Sequence, residues 1–213
     1  MPAEAVTREV FWNISLAQEL VFYVLGAISL GTLGFGIYRH VRVLLAGKRT
    51  PVPWNRVGTS LWNSMTEILL NRTVARRNWL AGLMHATIMW GFITLFIGTT
   101  LISIEYDLFQ KLLGRNHGFW VGAFFLGYEL VLDVMGALFL AGLAVALLRR
   151  YLLKLPQLTW KPIDLLLPSW LLLIGLTGFW IEGMRLAATT AELGYSPYWS
   201  PVGLFFSLSW QRG

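Results

Sequence analysis

One histidine and two carboxylates stand in this chain where a membrane protein could put them to chemical use. His85 lies within Trp79 to Ile104, a stretch without a formal charge. As a helix rising 1.5 Å per residue, that stretch covers about 39 Å, enough for a hydrocarbon core of about 30 Å. An ionisable side chain there is costly to desolvate unless it has a partner or a metal. Neutral imidazole ligates iron well, and paired imidazoles on neighbouring helices hold a b-type haem in a bundle. Gly82 and Met89 fall three before and four after His85 on the same helical face, leaving a flat place for a macrocycle. The plain alternative is a hydrogen bond from His85 to a neighbouring helix. Glu129 and Asp133 sit one turn apart in the middle of another apolar run. Like charges at that spacing repel in lipid, so at least one is paired or protonated. A proton relay or a contact to quinone is one role open to them. A hydrogen-bonded helix contact that holds a bundle together is the other.

Such side chains need helices that carry them into a bilayer, and the composition supplies these. The 213 residues are 56% hydrophobic and 13% charged, against about 25% charged in soluble domains. The expected fold is an all-α integral membrane protein, one membrane domain over 1–213. It has four full spans: helix I about 20–45, helix II about 79–104, helix III about 119–148 and helix IV about 163–185. A fifth apolar run, about 201–213, is half a span long and reads as a helix cut off in its middle. Between helices I and II, after Lys48, Pro51 and Pro53, the residues Trp54, Val57, Leu61, Met65 and Ile68 recur at helical spacing. They predict an amphipathic helix, about 54–72, that lies on the membrane surface or docks a soluble partner.

Several function classes are excluded. With no cysteine, the chain offers no disulfide, zinc–thiolate or iron–sulfur ligand, so iron–sulfur chemistry would belong to a partner. There is no phosphate-binding loop, hydrolytic triad or HExxH pattern, and the N-terminus lacks a secretory signal. The net charge of +6 is explained by its placement beside lipid, not by nucleic acid. The loops after helices I and III hold twelve basic residues, among them Arg39, Arg42, Arg76, Arg77, Arg149, Arg150, Lys154 and Lys161; the other side holds four. That asymmetry predicts the inner (cytoplasmic) membrane of a cell, with the N-terminus outside and His85 in the cytoplasmic half. His117 then falls in an outer, solvated loop. His40 is the local alternative ligand, although Arg39 and Arg42 draw it toward the headgroups. Glu182 and Arg185, spaced i,i+3 at the outer end of helix IV, predict an exposed ion pair of little energetic weight. Tyr195, Tyr198 and Trp199 predict an interfacial aromatic group.

The runs LAGLMHATIMWGFITLFIGT (80–99), ELVLDVMGALFLAGLAVALLRRY (129–151) and LTGFWIEGMRLA (176–187) carry a family resemblance. The region from about 20 to 213 resembles the membrane cytochrome b (gamma) subunit of respiratory nitrate reductase, in the form associated with heterodisulfide-reductase-like iron–sulfur proteins. The resemblance implies five helices holding haem b between histidines of helices II and V. It implies electron transfer between membrane quinone and a cytoplasmic iron–sulfur subunit or C-terminal iron–sulfur domain. His85 matches the first of two helix II histidines; the second position falls on Leu95, which cannot ligate iron. The resemblance thus implies one haem site, with its second ligand beyond residue 213.

Two further functions remain beside this one. In a proton or solute transport component His85, Glu129 and Asp133 would line a path, and in a cofactor-free membrane anchor they would only pack. No internal repeat supports transport.

Overall fold

A computed structural model describes residues 10–11, 14–47, 54–114, 121–153, 162–193 and 197–210. Among them there is no strand, and about 90% of the structure is helical. Four helical stretches are long and apolar enough to cross a membrane: Leu16–Leu45, Trp79–Leu112, Gly122–Leu152 and Ile163–Ala188. The chain is a multi-pass helical membrane protein. It separates into two compact units, one of them Glu9–Leu61 and the other containing Trp62–Gly213. His117, Tyr195, the prolines at 51 and 53, and the lysines at 48, 154 and 161 lie outside the described residues.

In the first unit, α1 spans Leu16–Leu45. Its start is a capping box: Ser15 Oγ accepts from Gln18 N at 3.4 Å and Gln18 Oε1 accepts from Ser15 N at 2.9 Å. No α1 residue is buried, and between Leu20 and Tyr38 the helix carries no charge on any face. His40 is exposed near its end.

Helix α2, Trp54–Leu70, begins in that unit and ends in the second, where Trp62, Met65 and Ile68 stay exposed. The chain then turns sharply at Asn71, whose φ of 47° lies in the left-handed region that asparagine tolerates. Helix α3 follows at Arg72–Arg77, and α4 runs over Trp79–Ser103, capped by Asn78 Oδ1 accepting from Ala81 N at 3.0 Å. Helix α4 does not give way to a loop at Glu105 as its charges suggested. It continues in wider π-helical turns over Ile104–Leu112 and buries Glu105. Helix α5, Gly122–Leu147, likewise ends in a π-helical stretch, Leu148–Leu152. Helix α6, Pro162–Leu193, contains Pro168 and runs eight residues past the expected end at Arg185. A short 3-10 turn, Pro197–Trp199, leads into α7, Pro201–Ser207, which has proline at its first position.

Glycines bring these helices together, as expected where lipid removes the hydrophobic drive and close packing must supply contact. A Cβ on Gly91 would lie 2.6 Å from Phe139 Cβ, and one on Gly142 would lie 2.5 Å from Thr87 Oγ1, so α4 and α5 meet almost backbone to backbone. Gly183 gives α6 the same approach to α7, with Phe206 Cβ 2.6 Å from where its own Cβ would stand. Phe125 of α5 and Leu186 of α6 form the buried apolar centre, packed by Leu101, Ile102, Leu126 and Tyr128.

Candidate functional site: a carboxylate-lined cavity

Helix α5 turns Glu129 and Asp133 inward, where both are buried. They stand one turn apart yet have separate partners. Arg185 of α6 donates from Nη2 to Glu129 Oε1 and to Glu182 Oε1, and from Nε to Glu182 Oε2 at 3.0 Å. The Glu182–Arg185 pair is therefore not the exposed one its spacing suggested: Arg185 is only 9% accessible. The physical reason is that α6 does not end there; it carries on to Leu193, and the next residue, Leu186, packs on Phe125 of α5 and beside Gly203 of α7. A guanidinium enclosed by two carboxylates can offset its desolvation through several charge-assisted bonds, which a single surface pair cannot.

Asp133 meets α7 instead. Its Oδ1 accepts from Ser200 Oγ at 2.8 Å and Gly203 N at 3.0 Å, and its Oδ2 from Val202 N at 2.7 Å. The Ser200 side chain provides no cap of its own, so a carboxylate from another helix satisfies the first amides of α7. Of the two roles open to Asp133, the structure shows the helix contact directly.

Between α4, α5, α6 and the start of α7 lies a cavity of about 500 Å³. Leu95, Leu132, Phe139, Ile174 and Phe179 make its apolar walls; Thr99, Tyr128, Glu129, Asp133, Glu182 and Ser200 make its polar side. Tyr128 Oη donates to Gly98 O at 3.1 Å. Gly178 lines the cavity too, and a Cβ there would meet nothing within 4 Å. The space is shaped for a ligand with an apolar body and hydrogen-bonding groups at one end.

His85 does not line this cavity; it is exposed on α4. Gly82 and Met89 are engaged elsewhere. A Cβ on Gly82 would lie 2.5 Å from Ala75 Cα of α3, and Met89 Sδ accepts from Asn71 Nδ2 at 3.9 Å. The flat place expected beside His85 is thus filled by the α2–α3 elbow. Toward a haem the described residues of this unit offer one imidazole donor, at His85, and no open cradle at Gly82. His40 belongs to the other unit. Among the described residues no three His, Cys, Asp or Glu converge on one point. Sequence reasoning missed Ser200 and underrated Arg185. The available signal was that the apolar run of α6 continues beyond Arg185 through Leu186, Ala187 and Ala188.

The fold and cavity define a class: a multi-pass helical membrane protein with a carboxylate-lined cavity among its spans. The chain is similar to the EtfAB:quinone oxidoreductase of Syntrophomonas wolfei subsp. wolfei, being 29% identical over 204 residues that cover 91% of this chain and 27% of that protein. It therefore spans about a quarter of that relative's length. No family model matches the chain, and no solved structure matches it.

Proposed function

We propose that this chain is the membrane electron-transfer part of a quinone-linked oxidoreductase, and that quinone enters the cavity between α4, α5 and α6. The observation that carries the reading is the cavity itself, apolar along its walls and carboxylate-lined on one side. The name of the similar protein supports it. Interconversion of quinone and quinol moves two protons with two electrons, so a site within the bilayer needs a group that exchanges protons. Asp133 is committed to α7, which leaves Glu129 and Glu182 for that task.

The electrons pass to or from a cytoplasmic iron–sulfur subunit or domain in a nitrate reductase gamma-like arrangement, in the inner (cytoplasmic) membrane with the N-terminus outside. Haem b at His85 completes this reading, and when bound it supplies one-electron transfer. Its second ligand is an imidazole from another helix. His85 is exposed on α4 and so accessible to such a group, while Gly82 and Met89 hold the α2–α3 elbow.

Gly178 provides a test, because it lines the cavity and a Cβ there meets no neighbour, so a leucine side chain can start into the space. In the membrane-bound oxidoreductase that contains this chain, Gly178→Leu is expected to lower quinone-dependent turnover about tenfold or more. Gly127→Leu, also open to substitution but away from the cavity, should leave it unchanged. Unchanged turnover in Gly178→Leu would remove quinone from this cavity. Separately, His85→Ala should abolish a low-spin bis-imidazole haem spectrum in the same complex; an intact spectrum rejects His85 as ligand.

A further inference from the structure

The polar side of the cavity between α4, α5 and α6 is one-sided in its hydrogen bonding. Among the described residues that line it, six carry polar side chains: Thr99, Tyr128, Glu129, Asp133, Glu182 and Ser200. Thr99, Tyr128 and Ser200 are hydroxyls, and each has a single proton to donate. Thr99 Oγ1 donates to Leu95 O at 3.0 Å, Tyr128 Oη to Gly98 O at 3.1 Å, and Ser200 Oγ to Asp133 Oδ1 at 2.8 Å. All these protons are spent inside the protein. The carboxylates accept: Glu129 and Glu182 from Arg185, and Asp133 from Ser200, Val202 and Gly203. Arg185 does not itself line the cavity. The other lining residues stand beyond the first turns of α4, α5 and α6, where backbone amides bond within the helix. Ser200, which lies outside those helices, is 1% accessible. Toward a ligand this wall presents lone pairs and no proton.

On the reading that the quinone couple occupies this cavity, we infer that the cavity selects its reduced form, so that the quinol binds there in preference to the quinone. The two forms share a ring and a tail, so the apolar walls do not tell them apart. They differ at two oxygens: a quinol carries two O–H donors, a quinone two carbonyl acceptors. The quinol donates to Glu182, whose side chain is 18% accessible against 8% for Glu129. A carboxylate accepts at about four lone-pair positions, so the bonds from Arg185 do not close Glu182 to a ligand. Hydrogen bonds to a charged acceptor are also the strong ones. A quinone instead brings its carbonyls against carboxylate and hydroxyl oxygens, acceptor to acceptor. It gains a donor only by breaking a bond that Thr99, Tyr128 or Ser200 already makes. A site built to pair a ligand hydroxyl discriminates against the form that lacks it, because polar groups are then left unmatched. By linkage, tighter binding of the quinol raises the midpoint potential of the couple inside the cavity above that in the bilayer.

The full chain, purified in lipid nanodiscs, is titrated anaerobically with a decyl-tailed benzoquinone, with its quinol, and with the dimethyl ether of that quinol. Bound ligand is counted by native mass spectrometry. The quinol should bind about tenfold more tightly than the quinone, the effect of one net hydrogen bond to a charged acceptor. That ratio corresponds to a rise of about 30 mV in the two-electron potential. The ether accepts but cannot donate, and should bind no more tightly than the quinone. Glu182→Gln exchanges one acceptor oxygen for an NH2 donor, so the quinone should gain affinity and the preference should be lost. Gly178→Leu should weaken quinol and quinone together. Equal binding of the two forms overturns the selection and leaves the couple in the cavity, as does an ether that binds as tightly as the quinol. An undiminished preference in Glu182→Gln overturns it too. If Gly178→Leu leaves both affinities unchanged, the couple does not occupy the cavity at all. Should Glu182→Gln fail to fold, the comparison of quinol with ether in the parent protein decides alone.

Discussion

Removing the carboxylate of Asp133 should undock α7. Three donors converge on it, at 2.7, 2.8 and 3.0 Å. A hydrogen bond to a charged acceptor contributes about 1.5–3 kcal/mol. The three share one acceptor and are not additive, so Asp133→Ala should cost about 4 kcal/mol. That raises the undocked fraction of α7 about a thousandfold. Asp133→Asn separates the contributions. Its amide oxygen can still accept from Ser200 Oγ and Gly203 N, which share Oδ1, but its NH2 group confronts Val202 N. A loss of about 2 kcal/mol, about thirtyfold in undocking, is expected. The absence of cysteine makes the assay simple. Ser207 is 1% accessible, so Ser207→Cys places one thiol under α7 at little steric cost. Its alkylation by N-ethylmaleimide, followed by mass spectrometry, reports undocking. Rates should rise in the order parent, Asp133→Asn, Asp133→Ala. Rates in Asp133→Ala within about twofold of the parent, as for uncoupled sites, would refute the claim that this carboxylate holds α7.

Gly91→Ala and Gly142→Ala, which force α4 away from α5, should each lower stability by about 1–3 kcal/mol, read as an earlier midpoint in denaturant titration of the purified protein. Arg185→Met leaves Glu129 and Glu182 without their shared cation and should cost about 3–5 kcal/mol; adding Glu129→Leu and Glu182→Gln should recover most of it in the same titration. A reporter fused within 48–73 should be cytoplasmic and one fused near Arg115 external; the reverse pattern overturns the orientation drawn from the basic residues.

The spans were legible in the sequence because long apolar runs with at most two charges each admit few alternatives in water or lipid. Glu129 and Asp133 were legible as unusual for the same reason. Their partners were not. Arg185 lies 56 residues from Glu129, and Gly203 lies 70 from Asp133, so no periodicity along one helix connects them. The i,i+3 spacing of Glu182 and Arg185 identified a true contact but could not show that α5 and α7 cover it. Similarly, Gly82 and Met89 share a helical face with His85, but which neighbour takes a face depends on the left-handed turn at Asn71, a tertiary matter. The wide turns after Ser103 were hidden because Glu105, Asp107 and Lys111 read as the beginning of a loop.

The long separation between acids and partners also bears on how the protein is made. Helix α5 leaves the ribosome with Glu129 and Asp133 before Arg185 and Ser200 have been translated. At about 5–20 residues per second, the delay is about 3–14 s. During that interval each carboxylate costs the nascent helix up to about 3 kcal/mol at the translocon. Leu130, Val131, Leu132, Val134 and the apolar residues after them must supply the insertion drive alone. Closure of the polar cluster is consequently a late step of biogenesis, and a ribosome-stalled chain ending before Arg185 would hold α5 in the bilayer with both acids awaiting their partners.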